Sequence, residues 1–227
     1  METSLHHELK LLYADSPEDV EVRLGSFRID AMAGKELIEI QHGGLSTIRD
    51  KVQRLLKAHR VRVVKPIVFR KTLVKRKSRR GKVIERRLSP KRGRLIDLFD
   101  DLVHFTRVFP HPRLTLEVIL VEVEEWRFPG HGRRRRWRQR DFQIEDQKLV
   151  RIESQHVFRR AKDLAKIVPA NVPMPFDTRD LAQSLEIKRW EAQKLAYCLR
   201  HTGAADQVGK RGNALLYAWP PAKGKAA

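Results

Sequence analysis

The sequence contains a single cysteine, no long apolar run and no glycine-rich nucleotide-binding motif. Because Cys198 is the only cysteine among 227 residues, an intramolecular disulfide framework is excluded and a reducing compartment is indicated. No window approaches the roughly 18 apolar residues of a membrane-spanning helix, and the N-terminus lacks the apolar segment of a signal peptide. Neither a Walker loop nor a Rossmann glycine pattern is present. We therefore expect a cytoplasmic protein without a membrane partner.

Positive charge is abundant and unevenly distributed. Hydrophobic residues make up 41% of the chain and charged residues 33%, which is typical of a globular protein. The formal net charge is +20; residues 1–60 hold 10 acidic and 9 basic residues, a net of −1, so residues 61–227 carry +21. Such an asymmetry indicates a polyanionic partner, most commonly nucleic acid.

The segment KELIEIQ, residues 35–41, predicts a strand with Ile38 and Ile40 on one face and Glu39 and Gln41 on the other. The preceding strand contains Asp30, and Gly34-Lys35 between the strands suits a two-residue type II′ turn. Counting back from this turn places Asp30 opposite Glu39, where like charges about 5 Å apart are destabilising. A divalent cation between the carboxylates would make the pairing favourable. The alternative is a solvated hairpin whose carboxylates point to water.

The order of elements around this hairpin is a helix over residues 3–14, two or three strands, a helix over residues 45–59 and a strand over residues 61–69. With Asp30 and Glu39 in these places, the segment resembles the core of the PD-(D/E)XK nuclease superfamily, which has a restriction-endonuclease-like fold. Gln41 stands where that superfamily usually has Lys, so it can hydrogen-bond but adds no charge. The resemblance implies an α/β (α+β) fold with a mixed sheet flanked by helices.

The resemblance also implies the site. Asp30, Glu39 and the backbone carbonyl of Ile40 would bind Mg²⁺ (or Mn²⁺), Glu8 is a further candidate ligand, and Gln41 would orient the attacking water. His6, His7 and His42 can approach this cluster, but no histidine or cysteine spacing matches a zinc motif. Lys35 and Lys51 are candidates for the missing positive charge.

Two basic segments, 70–94 and 126–152, are predicted to form β-hairpins. Residues 70–94 alone contain 13 Lys and Arg residues. Such runs suit contacts with phosphates, and the candidate contacts are Arg79, Arg80, Arg134 and Arg135. A solvated basic face is the alternative, although it does not explain why the charge is confined to one part of the chain.

Residues 157–227 resemble a winged helix-turn-helix domain, with helices, a tight turn, a further helix and a two-stranded wing. The resemblance implies DNA contacts by exposed polar residues of the second helix and of the wing, namely Arg189, Gln193, Lys194, Arg200, Lys210 and Arg211. Winged helices also mediate protein contacts, so a packing or dimerisation module is the alternative.

Together these features predict a nuclease domain over residues 1–156 and a DNA-binding domain over residues 157–227. The expected function is a magnesium-dependent endonuclease that hydrolyses phosphodiester bonds in DNA. The alternative is a non-catalytic DNA-binding regulator or accessory protein built on the same fold. RNA is a second candidate polymer, because basic hairpins can bind either DNA or RNA. The sequence leaves open whether the chain forms a homodimer.

Overall fold

The computed structural model describes residues 2–130 and 141–221. Its helices are α1 (Ser4–Tyr13), α2 (Arg49–Leu55), α3 (Leu98–Leu102), α4 (Ala161–Leu164), α5 (Thr178–Ser184) and α6 (Arg189–Thr202). Its strands are β1 (Val20–Leu24), β2 (Phe27–Ala33), β3 (Glu36–Ile40), β4 (Arg60–Arg76), β5 (Val83–Leu88), β6 (Leu114–Pro129), β7 (Phe142–Phe158), β8 (Asp206–Arg211) and β9 (Ala214–Ala218).

Seven strands form one sheet in the order β1-β2-β3-β4-β6-β7, with β5 paired to β4. The pairs β1–β2, β2–β3 and β4–β5 are antiparallel. Side-chain pairs between β4 and β6 join residues a nearly constant distance apart in sequence: Arg62 with Glu117 (117 − 62 = 55) and Lys71 with Glu125 (125 − 71 = 54). A constant difference is the pattern of parallel neighbours, so the sheet is mixed, and the predicted α+β class is confirmed.

The chain divides into two compact units. The first comprises Met1–His42, Val64–Arg94 and Val118–His156, and the second comprises Gly43–Val63, Leu95–Glu117 and Val157–Ala227. The predicted division between residues 156 and 157 coincides with one of these boundaries. Two segments that were predicted to lie in the first domain, 43–63 and 95–117, instead belong to the second unit.

Helix α1 packs on the sheet of the first unit. Leu5 and Leu9 are buried against Ile38, Ile40 and other apolar residues of the sheet. Leu12 continues the helical spacing of Leu5 and Leu9, which predicts a third buried residue, but this prediction is wrong, because the Leu12 side chain is 57% exposed. The adjacent position Lys10 is buried instead, and carboxylates surround its ammonium group.

Two long hairpin arms extend the sheet, as predicted. The first is formed by the end of β4 with β5, and all six residues of β5 are exposed. The chain returns from β5 through Gly93, whose N–H donates to the Val68 carbonyl at 2.8 Å. A Cβ at Gly93 would lie 2.6 Å from Ile67 Cγ2, so no side chain fits there. The second arm joins β6 and β7; its predicted contacts Arg134 and Arg135 lie outside the described residues.

The second unit contains a helix-turn-helix followed by a hairpin. The Asp177 carboxylate caps α5 by accepting hydrogen bonds from the backbone N–H groups of Arg179 and Asp180. Helix α6 ends at Gly203, which has a left-handed conformation with φ 75°. Strands β8 and β9 pair with each other, and Phe176 bridges to Tyr217 in β9. Within the described ranges, no helix is long and apolar enough to cross a membrane.

Candidate carboxylate site and nucleic-acid interface

The β2–β3 hairpin has the predicted register. Ala33 pairs with Glu36, Met32 with Leu37 and Ala31 with Ile38, and Gly34 has φ 53°, which suits the first position of a type II′ turn. The regular pairs end at Ala31 with Ile38. Directly beyond them the Ile40 N–H donates to Asp30 Oδ2 at 2.8 Å. The Asp30 side chain therefore takes a backbone hydrogen bond from β3, and the predicted pairing of Asp30 with Glu39 stays a prediction.

Asp30 is an ionised carboxylate in a largely buried setting. His6 Nε2 and Lys10 Nζ lie 3.4 and 3.5 Å from Asp30 Oδ1. Burial raises the pKa of Asp30, but the hydrogen bonds from His6 and from the Ile40 N–H, with the charge of Lys10, outweigh burial and leave the pKa below its ordinary value. The carboxylate is consequently negative at neutral pH and attracts cations.

Glu39 and Gln41 lie on the central strand β3 and just after it. Glu39 is only 3% exposed, so the solvated hairpin that the sequence left open is not what the chain forms. Gln41 is partly buried, and its backbone N–H donates to the Val64 carbonyl at 2.9 Å, which connects β3 to β4. This hydrogen bond brings the backbone of Gln41 next to Val64 of β4.

Glu8 takes a different place from the predicted one. Its Oε2 accepts a hydrogen bond from the Leu149 N–H at 2.8 Å, so its carboxylate joins α1 to β7. Over residues 2–130 and 141–221, no group of three or more His, Cys, Asp and Glu side chains has an arrangement that would hold a metal ion. The predicted ligand set of Asp30, Glu39 and Glu8 is therefore not assembled as one cluster within these residues.

Lys65 is the residue of the site that the sequence did not predict. It is 6% exposed, and its Nζ donates to the His42 carbonyl at 3.0 Å. The His42 and His6 rings are 5.4 Å apart, which connects Lys65 through the two histidines to Asp30. Burial, together with the nearby His6 and Lys65, lowers the pKa of His42 to about 4, so this imidazole is neutral. A lysine within the apolar run VRVVKPIVF was the available signal, because a buried lysine needs a partner.

The basic residues of the first arm are of two kinds: some pair with carboxylates, and others are exposed at the turn. Along its length, basic residues pair with carboxylates of β6: Lys71 with Glu125 at 2.5 Å and Arg86 with Glu124 at 2.9 Å. Arg79 and Arg80, at the turn, are exposed. The sides of the arm are therefore partly neutralised, and the positive charge is most accessible at the turn.

The predicted contacts of the second unit are mostly exposed. The apolar face of α6, with Leu195, Ala196 and Leu199, is buried. The exposed residues are Arg189, Gln193, Arg200, Lys210 and Arg211. Two cations already have carboxylate neighbours: Lys194 Nζ lies 2.8 Å from Asp100, and Arg211 Nη1 lies 3.1 Å from Asp180. Lys194 and Arg211 can therefore meet a phosphate only by sharing or exchanging these partners.

Comparisons with known proteins place the chain in a family. A family model described as a domain of unknown function (DUF8091) matches residues 3–159. The chain belongs to the DUF8091 family. It is similar to an uncharacterized protein of Treponema pallidum (strain Nichols), with 28% identity over 222 residues, which cover 97% of this chain and 86% of that protein. No solved structure matches.

The DUF8091 match includes every residue of the carboxylate site and both hairpin arms. Its end at residue 159 lies close to the start of the third segment of the second unit, at Val157. Asp30, Glu39, Gln41 and Lys65 are therefore part of the DUF8091 domain, whereas α5, α6 and the β8–β9 hairpin lie beyond the matched residues.

Proposed function

We propose that this protein is a metal-dependent nuclease that hydrolyses phosphodiester bonds in DNA. The observation that carries the proposal is the ionised Asp30, which accepts a hydrogen bond from the Ile40 N–H, with the buried Glu39 and Lys65 on the next two strands of the sheet. Two carboxylates and an ammonium group on three neighbouring strands would suit a reaction in which a divalent ion and a phosphate meet.

The donor set fits a hard divalent cation. Asp30, Glu39 and the Ile40 carbonyl offer oxygen ligands, and Mg²⁺ commonly takes one or two carboxylates together with water and substrate phosphates. When bound, such an ion neutralises charge on the phosphate and lowers the pKa of water. Lys10, which faces Asp30, also has Glu2 and Glu21 at 2.8 Å. Because Lys10 keeps these two partners, Asp30 can turn toward a cation without leaving a buried ammonium unpaired.

Lys65 and Gln41 have complementary roles in this proposal. Gln41 can hydrogen-bond a water molecule but carries no charge. Lys65 supplies the positive charge from β4, next to Val64, which accepts the backbone hydrogen bond of Gln41. We therefore assign to Lys65 the stabilisation of the phosphate and to Gln41 the orientation of the water.

The basic arm and the second unit would hold the DNA. The helix-turn-helix, the β8–β9 hairpin and the Phe176–Tyr217 bridge support a winged-helix domain, and the exposed Arg189, Gln193 and Arg200 supply polar groups on α6. In a winged helix, the second helix contacts the major groove and the wing contacts the backbone. The mixed sheet with α1 on one face supports the restriction-endonuclease-like fold.

A non-catalytic DNA-binding protein is the second candidate, and a specific observation favours it. Both oxygens of Asp30 have partners within the fold: Oδ2 accepts from the Ile40 N–H, and Oδ1 faces His6 and Lys10. A carboxylate used in this way stabilises the hairpin without any metal ion. In that case the protein would act as a regulator or an accessory factor.

Cleavage assays separate the two candidates. The purified full chain is incubated with plasmid, linear and branched DNA, and with RNA, in Mg²⁺, Mn²⁺ or EDTA. We expect cleavage only with a divalent cation, and a loss of about 100-fold or more in Asp30→Asn and Glu39→Gln, as is common when a catalytic group is removed. Affinity for DNA should stay similar or rise, because a negative charge near the phosphate is removed.

Glu36→Gln is the matched control, since Glu36 lies on the same strand at the opposite end of the hairpin. It should retain cleavage. Binding of DNA by the wild-type protein with no cleavage of any substrate under these conditions would favour the non-catalytic candidate. Full metal-dependent activity in both Asp30→Asn and Glu39→Gln would place the active site elsewhere.

A further inference from the structure

We propose that a pocket at the end of the first arm binds a phosphate group. The pocket has a volume of about 360 Å³, and Arg76, Arg79, Arg80 and Lys148 line it together with Trp126. It lies between the β4–β5 turn and the β6–β7 arm, within the first unit. We call it the arm pocket.

The carboxylates at the arm pocket are already used within the fold. Asp146 accepts hydrogen bonds from the N–H and the hydroxyl of Ser4, at 2.8 and 2.5 Å. Glu145 lies 3.5 Å from Arg76 Nε and accepts the Arg80 backbone N–H at 3.0 Å. Glu2 pairs with Lys10 at 2.8 Å. These acidic groups therefore fix the walls of the pocket: Glu2 and Glu145 have cationic partners, and Asp146 is held by hydrogen bonds.

Three cationic side chains remain for a ligand. Across the part of the chain that the structure describes, no carboxylate lies within ion-pair distance of the side chains of Arg79, Arg80 or Lys148. Guanidinium groups bind phosphate oxygens with paired N–H donors, and an ammonium group adds a point charge. Two guanidinium groups and one ammonium group in one pocket therefore suit a negatively charged phosphate group better than an apolar ligand.

The β4–β5 turn holds Arg80 in a strained conformation. Arg80 has φ 56°, in the left-handed region that disfavours side chains with a Cβ. Its N–H is fixed by Glu145, and the Lys77 N–H donates to the Lys82 carbonyl at 3.0 Å across the turn. Residues in such conformations cluster at ligand-binding places, where surrounding contacts maintain them. The strain therefore supports a positioning role for Arg80.

Trp126 supplies a further donor. The Arg76 guanidinium lies 4.4 Å and the Lys148 ammonium 5.2 Å from the centre of its ring. Its indole N–H is buried and has no acceptor in residues 2–130 and 141–221. A buried N–H without an acceptor is unfavourable. A phosphate oxygen in the arm pocket would be an acceptor for it, and the two cations over the ring would move toward the same anion.

The inference rests on the proposed function only in naming a nucleic-acid strand as one source of the phosphate. It is tested in EDTA, without turnover, so it can fail while the nuclease proposal stands, or the reverse. The full chain with ¹⁵N-labelled tryptophan is titrated with inorganic phosphate and with a five-nucleotide thymidine DNA, and the indole N–H resonance assigned by Trp126→Phe is followed.

We expect a saturable shift of the Trp126 resonance. The double variant Arg79→Gln with Arg80→Gln should weaken the affinity about tenfold or more, because two charge-assisted contacts are lost. Lys77→Gln with Lys82→Gln is the matched control: it removes two exposed charges from the same turn, outside the pocket, and should change the affinity about twofold or less. Lys148→Gln, on another strand, should weaken the affinity as well.

Similar affinity for both probes would identify a simple anion site, and clearly tighter binding of the DNA would identify a strand-binding site; either result supports the phosphate pocket. No shift of the Trp126 resonance with either probe would overturn it. Equal losses in the pocket variant and in its matched control would also overturn it, because they would show that net charge alone attracts the anion.

Discussion

At the scale of single residues, Asp30 connects the fold to the proposed chemistry. Its side chain accepts a backbone hydrogen bond from Ile40 and faces Lys10 and His6. The register of the hairpin follows from Gly34, because a two-residue turn with glycine first leaves one way to align the strands. The three pairs from Ala33–Glu36 to Ala31–Ile38 could therefore be predicted from the sequence, whereas the pairing of Asp30 with Glu39 stays a prediction.

Lys65 and Lys10 could not be found in the same way. A helix and a connecting segment separate Lys65 from Glu39 along the chain. Only the tertiary fold therefore brings Lys65 to the site. Lys10 lies on the buried side of α1, where a helical pattern predicts an apolar residue; its partners Glu2 and Glu21 compensate its charge. Local sequence patterns do not show that carboxylates of other segments compensate a buried positive charge.

A rescue experiment tests the division of roles between Lys65 and Gln41. Lys65→Met should lower cleavage by about 100-fold, the size expected when one group that stabilises the transition state is removed. Adding Gln41→Lys to that variant should restore at least about tenfold of the loss, because the charge returns from the adjacent strand. Cleavage is measured under single-turnover conditions.

Thermal unfolding of the same variants provides the control. A Lys65→Met variant that cleaves at the wild-type rate would show that Lys65 takes no part in the reaction. A loss of folding in the Gln41→Lys variant alone would identify Gln41 as a structural residue. Unchanged unfolding temperatures with the predicted loss and recovery would support the proposed roles.

At the scale of secondary-structure elements, a buried ionic cluster joins β4, β6 and β7. Glu125 is 1% exposed and binds Lys71, Arg127 and Gln147. Burial raises the pKa of Glu125, but the hydrogen bonds from Lys71 and Gln147, with Arg127, outweigh it, so the pKa lies below the ordinary value of 4.5. The strands of both arms are thus held together by an ionised carboxylate.

Glu125→Gln should destabilise the protein by about 3 kcal/mol at neutral pH, because it leaves two cations without their buried partner. A carboxylate with a depressed pKa stabilises the fold above its unfolded-state pKa and loses this contribution as the pH falls through its folded-state pKa. The difference between wild type and variant should therefore be constant above about pH 4.5 and shrink below it. Denaturant unfolding at several pH values measures it.

Glu85→Gln is the control for this prediction. Glu85 pairs with Arg87 on the exposed strand β5, so its removal should change stability by less than about 0.5 kcal/mol. A difference between wild type and Glu125→Gln that grows as the pH falls would contradict the assignment of an ionised Glu125.

Elements were easier to predict than their burial. The β2–β3 hairpin, the β4–β5 arm and the cap of α5 at Asp177 follow from turn and capping residues, which act within a few positions. Leu12 shows the limit: it fits the spacing of α1, but that helix ends one residue later and leaves Leu12 exposed.

At the scale of the whole molecule, the division into units could not be predicted from local patterns. The segment PANVPMP has the composition of a linker, yet it lies inside the second unit, which also contains residues 43–63 and 95–117. Helix α6 packs against α3, α4 and α5. Removal of residues 157–227 would expose this shared core, so charge variants of the full chain are the appropriate test of DNA binding.

Lys194→Gln with Arg200→Gln should weaken DNA binding and make the slope of log affinity against log salt shallower by about 2, because each lost phosphate contact removes close to one released counterion. The slope is measured by titration of duplex DNA at several salt concentrations. The control is Arg54→Gln with Lys57→Gln, which removes two exposed charges from the same unit. Equal slopes for both double variants would show that α6 does not bind the DNA.

The first arm also contrasts positions that tolerate substitution with one that does not. Every residue of β5 is exposed, whereas the chain returns to the sheet at Gly93, where any side chain would meet Ile67 and the Val68 carbonyl. Substitutions in β5 therefore alter what the arm presents to a partner and leave the core packing intact. A side chain at Gly93 would instead push the returning chain away from β4, to which Val68 belongs.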